Sequence, residues 1–222
     1  MPLPYRDRAE PGRLLAERLR SYQGRPEMIV LGLPRGGVSV AYEVARMLQL
    51  PLDIFVVRKL GVPGQPELAM GAIATGGVRV LNNEVVRLYG IDPEEIDAVT
   101  AREMRELERR EEAYRGLRPP PDLTGRTAIV VDDGLATGST MLAAVKALRK
   151  AQAAGIVVAV PVAAARTCES FQHHADDVIC LETPEPFRAV GLWYEDFTDL
   201  SDGQIRGLLE EAAQAAATEP RP

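Results

Sequence analysis

Residues 127–140 read TAIVVDDGLATGST and contain a strand, a turn and the start of a helix in one continuous run. Thr127–Val131 is short, apolar and β-branched, which is typical of a strand buried on both faces. Two carboxylates, Asp132 and Asp133, follow this run directly. After a turn of small residues, apolar side chains recur at helical spacing, so we predict a helix that begins near Ser139.

The turn has the chemical character of a phosphate-binding loop. Its two glycines permit backbone angles that other residues resist, and its small side chains leave room for N–H groups that point inward. The start of the following helix adds a partial positive charge and unpaired donors. Carboxylates repel phosphate, so Asp132 and Asp133 must face something else, and sugar hydroxyls or a metal bound to the sugar fit that role. The sequence therefore predicts a sugar-phosphate site. Its phosphate-binding residues are Gly134, Leu135, Ala136, Thr137, Gly138, Ser139 and Thr140.

Two other interpretations of residues 127–140 can be compared with the sequence pattern. A nucleotide-triphosphate P-loop is excluded, because that motif requires G-x-x-x-x-G-K-[ST]. Here the glycines lie too close together and Ser139 stands where the lysine would be required. An ordinary strand–turn–helix with an aspartate cap is compatible with the local pattern alone.

The run VVDDGLATGST, residues 130–140, closely resembles the motif by which type I phosphoribosyltransferases bind 5-phosphoribosyl-1-pyrophosphate (PRPP). The family motif is a hydrophobic strand, two acids and a T-G-x-T turn. The resemblance implies an α/β fold with a doubly wound, mainly parallel sheet flanked by helices and a small C-terminal hood. It also implies transfer of the 5-phosphoribosyl group from PRPP to a nitrogen nucleophile of a small-molecule acceptor, as in nucleotide salvage and nucleoside metabolism, with release of pyrophosphate.

The same resemblance implies roles for the two acids and for a metal ion. Asp132 and Asp133 would be catalytic, because they would hold the ribose 2′- and 3′-hydroxyls and favour positive charge on the ribose. Mg²⁺ would be bound mainly by PRPP oxygens, with no direct protein ligand and with both acids close by. One position departs from the family pattern. Hypoxanthine and guanine enzymes carry an aspartate, often regarded as a general base, where this chain has Ala136, so a mechanism that uses that carboxylate is in doubt.

A second strand–turn–helix unit precedes the motif. Met28–Leu33 is an apolar strand, and Val38–Leu50 has the spacing of a helix. Ligands of open parallel sheets bind at the carboxyl ends of the strands, which is where the turn between these two elements lies. A Gly-Gly turn alone is weak evidence, but GLPRGG resembles the pyrophosphate-binding loop of the family. We therefore expect Arg35, Gly36 and Gly37 to bind pyrophosphate.

The next strand, Leu52–Val57, is followed by two basic residues and a turn-rich segment. A solvated strand end is the plain interpretation, but V-V-R-K-x-G-x-P-G resembles the same segment of adenine phosphoribosyltransferases. Arg58 and Lys59 are thus expected to meet pyrophosphate charge, with Lys59 also counted as catalytic. The glycines and prolines of Gly61–Pro66 suit a lid over the reacting centre. Glu67 is a candidate participant in that lid.

A highly charged helix is predicted from Asp92 to Arg115. Asp92 is a cap and Pro93 takes the first helical position. Its apolar stripe is thin, so a solvated helix is the plain interpretation and a subunit contact, in a homodimer, is the alternative.

Further predicted elements are a hairpin at Ala69–Leu81, helices at Pro11–Tyr22, Ala164–His174 and Asp202–Ala216, and a loose tail at Thr218–Pro222.

Strands at Ile156–Val162 and Asp177–Leu181 complete the predicted sheet, because strands that alternate with helices favour parallel, doubly wound packing. The aromatic-rich segment Thr183–Asp199 follows. Most such clusters are core, but its V-G-x-x-Y run loosely resembles the hood that covers the base in hypoxanthine-type enzymes. Phe187 and Trp193 are therefore the candidate base-binding residues.

Composition sets the remaining expectations. A chain of 222 residues with 46% hydrophobic content can bury one sizeable core, so we expect a single domain over 1–222, with a helical insert at about 92–116 and a hood and tail at about 183–222. The net charge of −6 disfavours nucleic acid and anionic membranes as partners.

Two cysteines without metal-type spacing predict free thiols in a reducing cytosol. The N-terminus lacks the apolar core of a signal peptide and no apolar run reaches a membrane span, so a cytoplasmic protein is expected.

Two other functions compete with the transferase. A PRPP-binding regulator would keep the fold without transferase activity, and it would need a part that binds a partner. The acidic charge and the lack of a leading helix-turn-helix argue against DNA as that partner. A pyrophosphokinase that makes PRPP is the third candidate, but the chain is short for two lobes and shows no second, ATP-binding site.

Overall fold

The computed structural model describes residues 4–218. The strands are β1 (Met28–Gly32), β2 (Leu52–Ile54), β3 (Val57–Val62), β4 (Gln65–Ala74), β5 (Val78–Leu81), β6 (Thr127–Val131), β7 (Gly155–Val162) and β8 (Asp177–Glu182). The helices are α1 (Ala9–Arg18), α2 (Gly36–Leu48), α3 (Asn83–Tyr89), α4 (Pro93–Arg115), α5 (Ser139–Lys150), α6 (Ala165–Phe171) and α7 (Asp202–Thr218). The predicted tail lies outside the described residues from position 219 onward.

A five-stranded parallel sheet forms the centre of the fold, in the order β2-β1-β6-β7-β8. This order and direction confirm the predicted doubly wound α/β fold. Helices α1 and α2 cover one face, where Leu15 and Val44 belong to the same buried cluster as Val30. Helix α5 covers the other face, where Leu148 packs in a cluster with Ile29. Because both faces are covered, the central strands are continuous apolar runs.

A second sheet, antiparallel and of order β3-β4-β5, lies beside the first. The prediction of one strand over Leu52–Val57 is wrong, because the chain changes sheets in the middle of that run. The N–H of Phe55 still bonds to Gly32 in β1, whereas the N–H of Val56 bonds to the Thr75 hydroxyl at the end of β4. The hairpin predicted over Ala69–Leu81 is confirmed, with β4 paired to β5 across a short 3₁₀ turn.

The predicted charged helix is confirmed as α4, including a capping box formed by Asp92 and Glu95. Its apolar stripe is buried, and its C-terminal Arg115 is 4% exposed and paired with Asp53 in the middle of β2. Helix α4 therefore packs on the body of the domain. Helix α3 was not predicted, because it is only seven residues long and none of its residues is buried.

The expectation of free thiols is wrong, because Cys168 and Cys180 form a disulfide with a sulfur–sulfur distance of 2.03 Å. Helix α6 carries the first cysteine and packs against β8, which carries the second. The sequence separation of 12 gives no sign of this contact, which arises only when the helix folds back on the sheet. Among residues 4–218, no helix is long and apolar enough to cross a membrane.

Candidate active site

The turns that follow β1 and β6 meet at the carboxyl edge of the parallel sheet. The two strands are neighbours, and the N–H of Leu33 donates to the carbonyl of Val131 at 2.9 Å. A Cβ atom added to Gly36 would overlap the carboxylate of Asp133. The predicted pyrophosphate turn and the predicted ribose acids are thus in direct contact, with no room for a side chain between them.

The two acids differ in their surroundings. Asp132 accepts a hydrogen bond from the backbone N–H of Asp133 at 2.9 Å. Burial raises the pKa of Asp132 well above its ordinary range, and the charge of Asp133 raises it further. Burial also raises the pKa of Asp133, but the guanidinium of Arg8 opposes that rise through a contact of 2.9 Å. The pair can therefore carry negative charge when a cation lies beside it. Without a cation, the two carboxyl groups resist full ionisation.

The predicted phosphate loop is anchored at its middle and open at its rim. Leu135 is buried and pairs with β7, because its N–H donates to Val162 at 2.8 Å. The hydroxyl of Thr167 on α6 donates to the carbonyl of Ala136 at 2.8 Å. Gly138 adopts a φ of +71° and leads into the first turn of α5. The loop side chains that remain exposed are those of Ala136, Thr137, Ser139 and Thr140.

Two of the three basic residues predicted for pyrophosphate are paired with carboxylates outside the motif. The guanidinium of Arg35 contacts Asp202 at 3.0 Å. Arg58 pairs with Glu103 of α4 through contacts of 2.6 and 3.0 Å. Lys59 is exposed on β3. Glu67 is also exposed, near the tip of the β3–β4 hairpin that occupies the place of the predicted lid.

The C-terminal segment 183–199 closes over the motif. A Cβ atom on Gly134 would lie 2.5 Å from Val190, and the hydroxyl of Tyr194 donates to the carbonyl of Asp133 at 2.6 Å. Phe187 lines a cavity of about 510 Å³ beside the phosphate loop. The other lining residues are Ala164, Ala165, Arg166, Pro184, Glu185 and Pro186. Trp193 is not among them, and its backbone carbonyl accepts the N–H of Tyr5 instead.

Arg8 and Tyr194 contact the acids and were not predicted as site residues. Arg8 sits in the charged segment RDRAE, where nothing in the local pattern separates it from a solvated arginine. Tyr194 stood in the predicted hood without an assigned role, and only the tertiary fold brings its hydroxyl to Asp133.

The donor set suits a metal ion that is held chiefly by a substrate. Among residues 4–218 there is no group of three or more His, Cys, Asp and Glu side chains that could hold a metal ion. The carboxyl groups of Asp132 and Asp133 nevertheless lie next to each other at the end of β6, at the carboxyl edge of the sheet. Mg²⁺ keeps substrate oxygens and waters among its ligands and needs few protein groups, so the pair fits such an ion.

Residues 8–195 match the family model described as phosphoribosyl transferase domain. With this match the chain belongs to the phosphoribosyl transferase family, and its sheet and motif are of type I. It is 50% identical over 206 residues to two curated proteins from Mycobacterium tuberculosis strains, each provisionally named phosphoribosyl transferase. The match covers 93% of this chain and 46% of theirs, so the chain spans about half the length of these relatives. The crystal structure of TT1426 from Thermus thermophilus is 42% identical, with a TM-score of 0.84, covering 94% of this chain and 99% of that one.

Proposed function

We propose that this chain transfers the 5-phosphoribosyl group of PRPP to a nitrogen of a nucleobase or related heterocycle and releases pyrophosphate, in a Mg²⁺-dependent reaction. The observation that carries the proposal is the contact of Gly36 with the Asp133 carboxylate at the carboxyl edge of β1 and β6. A ligand that spans both turns would place its sugar on the acids and its leaving group at Gly36 and Gly37. Its 5′-phosphate would then reach the loop that ends at Gly138.

The chemistry follows from that placement. The nitrogen lone pair forms a bond to ribose C1 while the bond from C1 to the pyrophosphate oxygen breaks and its electrons leave with pyrophosphate. Positive charge spreads over the ribose in the transition state, as in glycoside hydrolysis. Asp132 and Asp133 favour that charge and orient the sugar through its hydroxyls. Mg²⁺, when bound, neutralises the leaving pyrophosphate. Fixing both ends of PRPP can contribute up to roughly 7–11 kcal/mol to lowering the barrier.

We place the acceptor in the cavity lined by Phe187. Apolar residues form most of its wall, and Arg166 and Glu185 supply one charge of each sign. Such a lining suits a flat heterocycle that has both donors and acceptors on its edge. Trp193 lies outside this lining, so we keep only Phe187 as a base contact.

Two further expectations belong to the proposal. The β3–β4 hairpin would close over the reacting centre, and this closure would bring Lys59 toward pyrophosphate. We keep the cytoplasm as the expected location of the reaction, although the disulfide removes the support that free cysteines would have given to this expectation.

The direct test measures pyrophosphate release from PRPP with Mg²⁺ and a panel of purines, pyrimidines and related heterocycles. We expect release with at least one acceptor and a matching ribonucleoside monophosphate as the second product. Binding of PRPP without release across the whole panel would contradict transferase activity.

Binding of PRPP without pyrophosphate release would favour a PRPP-binding regulatory protein without transferase activity. One structural observation supports this second function. The guanidinium groups of Arg35 and Arg58 are both paired with carboxylates, those of Asp202 and Glu103. A transferase must free at least one of them to meet pyrophosphate, whereas a regulator need not. Calorimetric titration with PRPP, followed by the acceptor panel, separates the two functions.

The substitution Gly138→Ala is expected to weaken PRPP binding by about tenfold or more, as a 1–3 kcal/mol local effect implies. The new Cβ would lie 2.6 Å from the ring of Phe171, so the loop must move away from α6. The matched control is Gly125→Ala, since Gly125 has a φ of +70° but no atom within 4 Å of its added Cβ. Gly125→Ala should bind PRPP as the wild type does, and an equal dissociation constant for Gly138→Ala, measured by calorimetry, would contradict the prediction.

A further inference from the structure

Arg8 joins three separate parts of the molecule at the site. It precedes α1, its Nε donates to Asp133 at 2.9 Å, and its Nη1 donates to the carbonyl of Thr198 at 2.8 Å. Its guanidinium lies over the ring of Phe197, 4.0 Å from the centroid. The side chain is only 6% exposed, so nearly all of its charge is met by these groups.

The other buried arginine of the described chain, Arg115, is held in a similar way but pairs with a second carboxylate as well, that of Glu111 at 3.3 Å. Arg115 also donates from Nε to a carboxylate, that of Asp53, and from Nη2 to a backbone carbonyl, that of Ile54. The carboxylate of Asp53 lies at β2, away from the turns that form the site, whereas Asp133 belongs to the acid pair itself. Two similar buried pairs thus exist, and only one of them reaches the proposed chemistry.

The surroundings of the Asp133 carboxylate act on its pKa in opposite directions. Burial and the charge of Asp199 raise the pKa, and the charge of Asp133 in turn raises the pKa of Asp132. Arg8 opposes the rise through its charge and its hydrogen bond, as does the backbone N–H of Asp133. An isolated carboxylate in such a place would become neutral or turn toward solvent. The ion pair opposes both outcomes, because the guanidinium favours the charged form and its Nε–H fixes one carboxylate oxygen in direction.

We propose that Arg8 is a positioning residue for the transfer reaction: it holds the Asp133 carboxylate aimed at the ribose, and it ties that carboxylate to the hood through Thr198 and Phe197. This inference rests on the proposed function for its catalytic meaning. The ion pair between Arg8 and Asp133, however, can be tested without measuring catalysis. Arg8 does not touch the substrate in this role and acts only through Asp133.

The test compares Arg8→Gln with Arg8→Lys and with the matched control Arg115→Gln. In the protein without substrate, the Asp133 carboxyl is followed by ¹³C NMR as pH is varied, with its signal assigned by comparison with Asp133→Asn. We expect the Asp133 titration midpoint to rise by about one pH unit in Arg8→Gln, to return most of the way in Arg8→Lys, and to stay unchanged in Arg115→Gln. With PRPP and an acceptor, the acidic limb of kcat/KM should move to higher pH by the same amount, and kcat/KM near neutral pH should fall on the order of tenfold.

The outcomes separate this inference from the proposed function. A shifted NMR midpoint in a protein without transferase activity supports the Arg8 pairing and counts against the transferase. An unshifted midpoint in an active enzyme overturns the inference and leaves the transferase standing, as does an equal shift in Arg115→Gln. If Arg8→Gln does not fold, Phe197→Leu keeps the guanidinium but removes the ring beneath it. A smaller rise of the midpoint is then expected, and no rise overturns the inference.

Discussion

Replacing Asp132 or Asp133 by asparagine is expected to lower kcat/KM for PRPP by about 10²- to 10³-fold, the loss typical of removing one preorganised electrostatic group. Each substitution keeps the side-chain shape and removes the negative charge that would face the developing cation on the ribose. Because the loss arises in the transition state, kcat should fall together with kcat/KM. Steady-state kinetics of pyrophosphate release, measured with the acceptor that the panel identifies, provide the test.

Asp122→Asn is the control for the charge change, because Asp122 is exposed and caps a surface turn by accepting the N–H of Thr124. Its activity should stay within about twofold of the wild type, as expected for a surface substitution. Wild-type kinetics in both Asp132→Asn and Asp133→Asn would remove the two acids from the mechanism. In that case the plain interpretation of the motif, a strand with an aspartate cap, would be the better one.

The two variants should also differ in stability. Burial and the neighbouring charge raise the pKa of Asp132, so its folded-state pKa lies above the unfolded value and its ionised form destabilises the fold at neutral pH. Asparagine removes that cost. Asp133→Asn leaves the buried guanidinium of Arg8 without an opposite charge, and such loss is destabilising. We therefore expect Asp133→Asn to unfold at a lower temperature than Asp132→Asn, as measured by calorimetry or circular dichroism.

The parts of the fold that depend on local pattern could be predicted from the sequence. The apolar run before Asp132 and the small residues after it specify a buried strand and an open turn without help from the rest of the chain. Asp92 and Pro93 likewise define the start of α4 within a few residues. The carboxyl edge of the sheet then follows from parallel topology, which brings the turn at Gly36 beside the acids.

Features that depend on long-range packing could not be predicted in this way. Arg8 lies 125 residues from Asp133 in the chain, and no periodicity links the two. The break after Ile54 is hidden because Phe55 and Val56 are as apolar as the strand that they leave. The pairing of Arg58 with Glu103 depends on how α4 docks against β3, which the charge pattern of α4 does not specify.

The substitution Gly36→Ala is expected to reduce kcat/KM about 10²-fold, because a displacement of about 1 Å at a reacting centre can have that effect. The added Cβ would overlap the Asp133 carboxylate and lie 2.9 Å from the Nε of Arg8. Asp133 must therefore turn away from the sugar or separate from Arg8. The backbone of Gly36 is not in the left-handed region, so alanine is free of conformational strain there.

The matched control is Gly203→Ala, which also falls in the first turn of a helix but has no atom within 4 Å of the added Cβ. Alanine is the better helix former by roughly 0.5–1 kcal/mol, so this variant should be slightly more stable and fully active. Kinetics and thermal unfolding of the two variants are measured side by side. Because both replacements add the same methyl group in the first turn of a helix, a loss confined to Gly36→Ala must come from the position of that methyl group at the site, beside Asp133 and Arg8. If Gly36→Ala retains wild-type kcat/KM, the close approach of the two turns cannot be what positions the acid.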